Sequence, residues 1–266
     1  MAIGYVELFG IVSLICCACC LLKQPFWTKV AFGLSIAILA ATYYIVCVWY
    51  GHSYNTLTML QSLLLFAYGA ALIFSSVEDY VVYRKKEKSA KKKARLKANK
   101  PLFQRVLTWM ALTIVCIFIT IPIFFRMYNE MANAWAMLIV GFIVSIVGFF
   151  MLYGSKNQIR NQAIVHDMVP MTGMFALCRF PHLLGEIIFW LGIFLSAVDC
   201  YANTMQWAMA LIGLICIVCL VIYEANLLDK QQERRYGRKD EYQAYVAKTS
   251  ILIPFLPIHH LGNYQD

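Results

Sequence analysis

The sequence has few charged residues, which make up only 14% of its 266 positions. Soluble proteins usually carry about 25% charged residues. Hydrophobic residues reach 61%, and little chain remains for a soluble domain once membrane spans of about 20 residues each are subtracted. This composition excludes an ordinary soluble protein. We therefore expect an integral membrane protein with a single membrane domain.

The sequence also lacks the short motifs that bind phosphates in soluble folds. No GxGxxG and no GxxxxGK[ST] pattern occurs, which excludes a dinucleotide-binding sheet and a P-loop. A cysteine cluster has no neighbouring His or acidic residue, so it indicates packing rather than a metal site; its members are Cys16, Cys17, Cys19 and Cys20. No inverted internal repeat is present, which argues against a transporter.

Seven apolar runs predict an all-α polytopic membrane protein with about seven transmembrane helices. They cover Tyr5–Leu22, Val30–Tyr50, Leu57–Tyr83, Val106–Phe125, Trp135–Tyr153, Leu183–Val198 and Met205–Ala225. After Asn226 the chain becomes polar, which predicts a helix leaving the membrane, a break at Gly237 and a short amphipathic helix in the tail. We expect the segment between spans five and six to be a polar loop, Gly154–Phe180.

The distribution of basic residues predicts the orientation of these spans. Eleven Lys or Arg lie between Arg84 and Arg105, and such a loop belongs on the cytoplasmic side. This choice places 22 of the 23 basic residues inside and leaves only Arg126 outside. We therefore predict an inner bacterial membrane protein with its N-terminus outside and its C-terminus in the cytoplasm. Anionic lipid accounts for the net charge of +9 without a nucleic-acid partner.

Ionisable residues enter the sixth apolar run from its N-terminal end. Arg179, His182 and Glu186 lie within Met171–Ser196, and Glu186 falls inside the run. An ionisable side chain at such a depth costs about 2.5–3.5 kcal/mol on insertion scales, so it marks a functional site by default. The structural alternative is a carboxylate at the membrane interface that a neighbouring arginine neutralises.

The predicted topology brings the loop before span six and the C-terminal tail to the cytoplasmic face. Arginine forks suit phosphate oxygens, while amides and tyrosines suit ribose hydroxyls and ring edges. The alternative is a basic surface beside the membrane. The candidate cofactor-binding residues on this face are Asn157, Arg160, Gln162, Arg179, His182, Glu186, Arg234, Arg235, Arg238, Tyr242 and Tyr245.

Two motifs in this half of the chain carry a family resemblance. Positions 173–192 read GMFALCRFPHLLGEIIFWLG, and the tail from Glu233 ends in IleProPhe at 253–255. Together they resemble the C-terminal signature of the membrane steroid 5α-reductase family and its bacterial DUF1295-type relatives, over roughly the last 110 residues. Three positions depart from that pattern: Phe180 stands where the family has His, His182 where it has Asn, and Leu183 where it has Tyr.

The resemblance implies NADPH-dependent reduction of the C=C bond of an α,β-unsaturated ketone in a lipid-soluble substrate, such as a 3-oxo-Δ4-steroid. It implies a lipid-substrate half, residues 1–134, and a cofactor-binding half, residues 135–266. Glu78 with Tyr80 is the candidate catalytic pair that stabilises the enolate, since a tyrosine or a protonated carboxyl group can donate to the ketone oxygen. Their structural alternative is an interface tyrosine and an acid paired with Arg84.

Two other functions stay open at this point. The related isoprenylcysteine carboxyl methyltransferases share an Arg-His-Pro-x-Tyr element and an aromatic tail, and they use S-adenosylmethionine. A cofactor-free lipid-binding or transport protein could also place Glu186 in a cavity. The expected partners are a lipid-soluble small molecule and membrane lipids.

Overall fold

The structure, a computed structural model, describes residues 2–22, 26–49, 56–87, 101–129, 135–165 and 169–254. These residues form α-helices joined by short 3-10 turns, and no β-strand occurs among them. The helices are α1 (Ala2–Cys17), α2 (Phe26–Trp49), α3 (Thr56–Glu87), α4 (Leu102–Tyr128), α5 (Ala136–Val165), α6 (Pro181–Leu195), α7 (Thr204–Tyr236) and α8 (Asp240–Lys248). The predicted all-α class is confirmed.

Six helical segments of the described chain are long and apolar enough to cross a membrane: α2 to α5, α6 together with the turn that follows it to Cys200, and α7. This is the architecture of an integral membrane protein, because a helix satisfies all of its backbone hydrogen bonds internally. The first predicted span corresponds to α1 and the 3-10 turn after it, whose apolar stretch Glu7–Leu21 is shorter than the other six. A seventh span and the orientation of the termini stay predictions.

Two helices extend well beyond the apolar runs that predict them. α5 continues to Val165 and α7 continues to Tyr236. Neither extension contains proline, and Lys, Arg and Gln are good helix formers. Asn157 and Arg160 therefore lie on a helix and not in the expected loop.

The chain divides into two compact units. The first unit comprises Met1–Ile139 and Ile193–Gly213. Its core contains the buried rings of Phe9, Tyr43 and Phe124, and Phe9 meets the other two edge to face at 4.5 Å and 4.8 Å. The hydroxyl of Tyr43 shares a hydrogen bond of 2.7 Å with Thr120, so a polar group between α2 and α4 is satisfied inside this core.

The second unit comprises Val140–Gly192 and Leu214–Asp266. Here α5 and α6 pack so closely that glycine is required at their crossing. A Cβ atom on Gly185 would lie 2.6 Å from the backbone nitrogen of Leu152, and one on Gly192 would meet Ser145. Small residues at such contacts let helix backbones approach each other. The crossing therefore fixes the rotation of α6, and with it the direction of His182 and Glu186.

The C-terminal tail packs within the second unit. α8 has an apolar face in which Tyr242 and Val246 are buried with Tyr236. Beyond α8, the carbonyl oxygens of Ser250 and Ile251 accept hydrogen bonds from the backbone N–H groups of Arg179 and Phe180, at 2.9 Å and 3.1 Å. The tail is thus bound to the segment that begins α6. The predicted break at Gly237 and the short amphipathic helix after it are confirmed.

Candidate functional site

A fully buried ion pair lies in the second unit. Arg179 Nη1 donates to Asp229 Oδ1 at 2.7 Å, and both side chains have no exposed surface. Arg179 precedes the first residue of α6, Pro181, while Asp229 lies on α7. A buried charge without a partner costs several kcal/mol, and removal of either side chain would leave such a charge behind. Each of these two side chains therefore depends on the other.

The ion pair belongs to a polar face of α7. Asn226, Asp229 and Glu233 follow each other at spacings of three and four residues, which places them on one side of the helix. Asn226 Oδ1 and Glu233 Oε2 are buried and have no hydrogen-bond partner among the described residues. The other carboxyl oxygen of Glu233 accepts a hydrogen bond of 3.3 Å from Gln243 on α8.

Tyr242 brings a phenol to the same place. The residue is fully buried. Its hydroxyl lies beside the Arg179 guanidinium, which can donate a hydrogen bond to the phenol oxygen, and no described residue accepts a hydrogen bond from the hydroxyl. Burial raises the pKa of Tyr242 to about 12; the nearby Arg179 guanidinium lowers this pKa, and the Asp229 and Glu233 carboxyl groups raise it further. The phenol is therefore protonated at neutral pH and can donate a hydrogen bond.

We call these five residues the polar centre: Arg179, Asn226, Asp229, Glu233 and Tyr242. Buried polar atoms without partners are rare in folded proteins, and each costs about 1–3 kcal/mol. The polar centre holds three such atoms, on Asn226, Glu233 and Tyr242, in a unit that contains apolar helices of membrane length. The polar centre contains one guanidinium group and two carboxyl groups. The centre is consequently rich in acceptors, and it suits ligand groups that donate hydrogen bonds.

His182 and Glu186 lie beside each other on α6, one turn apart. Both are half-buried, and both interact with other residues. The His182 ring lies 6.1 Å from the Phe180 ring, edge to face. The structure thus places the two residues on one helix face in the same unit as Arg179. Their contact with a cofactor stays a prediction.

Arg234, Arg235 and Arg238 are exposed at the end of α7 and in the turn that follows it. The guanidinium carbon of Arg235 lies 5.3 Å from the centre of the Tyr236 ring. These cations can therefore reach a charged ligand from water. Because Arg179 is already paired with Asp229, the exposed arginines are better placed to meet phosphates.

The remaining cofactor candidates are less closely grouped. Asn157 is exposed and Arg160 half-buried on α5, while the side chain of Gln162 lies outside what the structure describes. Tyr245 is engaged already, because its hydroxyl donates to the carbonyl oxygen of Phe175 at 2.7 Å. Burial raises the pKa of Tyr245 above its usual value. Its described role is to attach α8 to the segment before α6.

Glu78 and Tyr80 belong to the first unit and lie on the single long helix α3. Residues two positions apart on a helix point about 200° away from each other. The apolar part of α3 ends at Glu78, and the Tyr80 ring packs 4.6 Å from the ring of Phe26. The catalytic role of the pair stays a prediction, and only one of the two can face a given cavity.

The sequence prediction did not include Asn226, Asp229 or Glu233. A signal for them was present, because the three positions form a helical stripe of acceptors directly after an apolar run. Basic residues dominate the same stretch, so the sequence prediction selected the arginines instead. The structure shows that Asp229 is buried and that Asn226 and Glu233 are half-buried, while the arginines are exposed.

Comparison with known proteins identifies the family. A family described as "Protein of unknown function (DUF1295)" matches residues 20–249. The chain belongs to the DUF1295 family. No curated protein and no solved structure matches it. The match includes all five residues of the polar centre, and it confirms the DUF1295-type resemblance. The description of this family names no activity, so the residues of the site are the basis for the proposed function.

Proposed function

We propose that this DUF1295 protein is an NADPH-dependent membrane reductase of the C=C bond of an α,β-unsaturated lipid ketone. The observation that supports the proposal is the polar centre, where buried oxygens of Asn226 and Glu233 have no described partner and no described residue accepts a hydrogen bond from the Tyr242 hydroxyl. A few convergent polar groups inside an apolar protein are typical of a small-molecule site. The 3-oxo-Δ4-steroids represent the expected substrate class.

The donor and acceptor pattern of the second unit fits a dinucleotide. Acceptors in the polar centre suit ribose hydroxyls and amide N–H groups, and exposed arginines suit the phosphates. His182 and Glu186 stand on the neighbouring face of α6 and can orient further polar groups. When bound, NADPH supplies the hydride. The protein's share is to bind, orient and exclude water.

The ketone needs a hydrogen-bond donor on its oxygen while negative charge develops there. One such donor contributes about 3–4 kcal/mol to the stability of the transition state. Glu78 or Tyr80 is the proposed donor in the first unit. The two side chains point in different directions on α3, so we expect removal of one to abolish reduction and removal of the other to have little effect.

A second candidate is an S-adenosylmethionine-dependent methyltransferase. The observation that favours it is the excess of carboxyl groups over guanidinium groups in the polar centre, because S-adenosylmethionine carries positive charge on its sulfonium and ammonium groups. Both candidates share a nucleoside, which the acceptors of α7 can bind. The two cofactors differ in their phosphates, because only NADPH carries phosphate groups that the exposed arginines could bind.

Purified protein in detergent or nanodiscs can decide between these functions. We expect consumption of NADPH only when a lipid enone is present, with a saturated ketone as the product. A 3-oxo-Δ4-steroid and a non-steroid lipid enone should both be supplied, since the substrate class is part of the proposal. Methyl transfer from S-adenosylmethionine without NADPH oxidation would support the second candidate. Binding of a lipid without either reaction would favour a lipid-binding protein and contradict both.

A further inference from the structure

The three unpartnered atoms of the polar centre differ in chemistry and follow a line along α7. Asn226 Oδ1 is an acceptor, Glu233 Oε2 belongs to a carboxyl group, and the Tyr242 hydroxyl donates and accepts. Seven residues separate Asn226 from Glu233, which corresponds to about 10 Å along a helix. Asp229, which pairs with Arg179, lies between them in the sequence of α7.

Glu233 and Tyr242 meet where α8 packs on α7. Gln243, next to Tyr242, donates to Glu233 Oε1 at 3.3 Å and to the carbonyl oxygen of Gly237 at 2.7 Å. The rings of Tyr236 and Tyr242 are 6.0 Å apart. The Tyr242 phenol and the Glu233 carboxyl group are thus held near each other on two helices. Glu233 Oε2 has no described partner, and no described residue accepts a hydrogen bond from the Tyr242 hydroxyl.

Phosphate does not suit this arrangement. The guanidinium of Arg179 already donates to Asp229, and an anion beside Asp229 and Glu233 would be repelled. A ribose suits it better, because its hydroxyls donate to a carboxyl oxygen and also accept from a phenol. The attached base or carboxamide carries an N–H group that suits the amide oxygen of Asn226, about two turns along the helix from Glu233.

We propose that Tyr242, Glu233 and Asn226 form a nucleoside subsite, in which Tyr242 and Glu233 bind ribose hydroxyls and Asn226 binds an N–H group of the base or carboxamide. The inference rests on the proposed function, because it states which part of a nucleotide cofactor the polar centre holds. The phosphates then lie outside the subsite, toward Arg234, Arg235 and Arg238.

The test uses three substitutions that each change one of these polar groups while keeping the shape of the side chain: Tyr242→Phe, Glu233→Gln and Asn226→Leu. If these atoms serve a ligand, Glu233→Gln and Asn226→Leu should leave the melting temperature of the ligand-free protein the same or higher, because Glu233 Oε2 and Asn226 Oδ1 make no described hydrogen bond. Tyr242→Phe should lower it slightly, because it removes a hydrogen-bond acceptor beside Arg179. The dissociation constant for NADPH should rise about tenfold for each variant. Tyr223→Phe on α7 and Glu241→Gln on α8 are matched controls, since both residues are exposed.

Adenosine and nicotinamide riboside serve as phosphate-free probes of the same subsite. At least one of them should stabilise the wild-type protein against heat, and Tyr242→Phe should remove that stabilisation. Raising the salt concentration should weaken NADPH binding and leave nucleoside binding unchanged, because only the phosphates depend on exposed arginines. The nucleoside that responds identifies the end of the cofactor that the subsite holds.

The results separate this inference from the proposed function. If NADPH binds and reduces an enone while all three variants bind it like the wild type, the subsite is wrong and the reductase stands. If a nucleoside stabilises the protein through Tyr242 but no reduction occurs, the subsite stands and the reductase is wrong. If Tyr242→Phe lowers the melting temperature and leaves all affinities unchanged, the hydroxyl serves the fold and the subsite is overturned. Failure of NADPH and both nucleosides to stabilise the wild type overturns both proposals.

Discussion

At the scale of single residues, the ion pair between Arg179 and Asp229 is the feature on which the site depends. Two charges without any exposed surface stay buried only as a pair. The pair joins the start of α6 to α7, and the backbone of Arg179 is also bonded to the tail at Ser250. Arg179 therefore connects three segments of the second unit, and we assign it to holding the site together.

Removal of Asp229 tests this role. We expect Asp229→Ala to lower the free energy of unfolding by about 3–5 kcal/mol, because it leaves a buried guanidinium without its carboxylate. The double variant Arg179→Met, Asp229→Leu should recover most of the lost stability. Thermal unfolding in detergent measures both, with Asp199→Ala as the exposed control. Equal stability of Asp229→Ala and the parent would show that the ion pair is not formed.

Glu186 is expected to serve the ligand and not the fold. Glu186→Gln keeps the shape of the side chain but exchanges one acceptor for a donor. We expect a folded, membrane-inserted protein whose cofactor affinity or turnover falls at least about tenfold, equivalent to about 1.4 kcal/mol. NADPH binding and enone reduction in matched preparations measure the effect. A variant as active as the parent would show that Glu186 has a structural role instead.

At the scale of elements, the crossing of α5 and α6 fixes the position of the α6 side chains. A methyl group on Gly185 would collide with the backbone of Leu152 and with the carbonyl oxygen of Gly148. We expect Gly185→Ala to cost about 1–3 kcal/mol of stability, since overpacking forces backbone shifts, and to weaken the cofactor site. Gly10→Ala on α1 is the control, because nothing lies within 4 Å of the added atom. If Gly185→Ala and Gly10→Ala unfold alike, the crossing is looser than described.

The helices themselves could be predicted from hydropathy, because apolar runs of membrane length have one structural outcome. Their ends could not. α5 and α7 pass beyond their apolar runs, since helix propensity continues where hydrophobicity stops. The sequence motif identified Arg179, His182 and Glu186, but not the partner of Arg179. Asp229 lies 50 residues further along the chain, and such a pairing is set by tertiary packing that no local pattern contains.

At the scale of the whole molecule, orientation in the membrane is the main prediction. The partition of basic residues, 22 inside and one outside, motivates it. A tag after Asp266 and a tag within Lys91–Lys93 should be accessible from the cytoplasm, and a tag before Met1 should be accessible from the opposite side. Protease protection or reporter fusions in intact cells measure this. If the first two tags lie on opposite sides, the number of spans is wrong.

For the whole molecule, we propose that the second unit binds a nucleotide cofactor around a buried polar centre. The most direct test is thermal unfolding of the purified wild-type protein with NADPH, NADH or S-adenosylmethionine. A ligand at 100 times its dissociation constant adds about 2.7 kcal/mol to the free energy of unfolding. We predict such stabilisation by NADPH, a weaker effect of NADH, and a reduction of the NADPH effect to about half when a tenfold fall in affinity follows the replacement of Glu186 by Gln. An unfolding temperature that none of the three ligands changes would contradict the central claim.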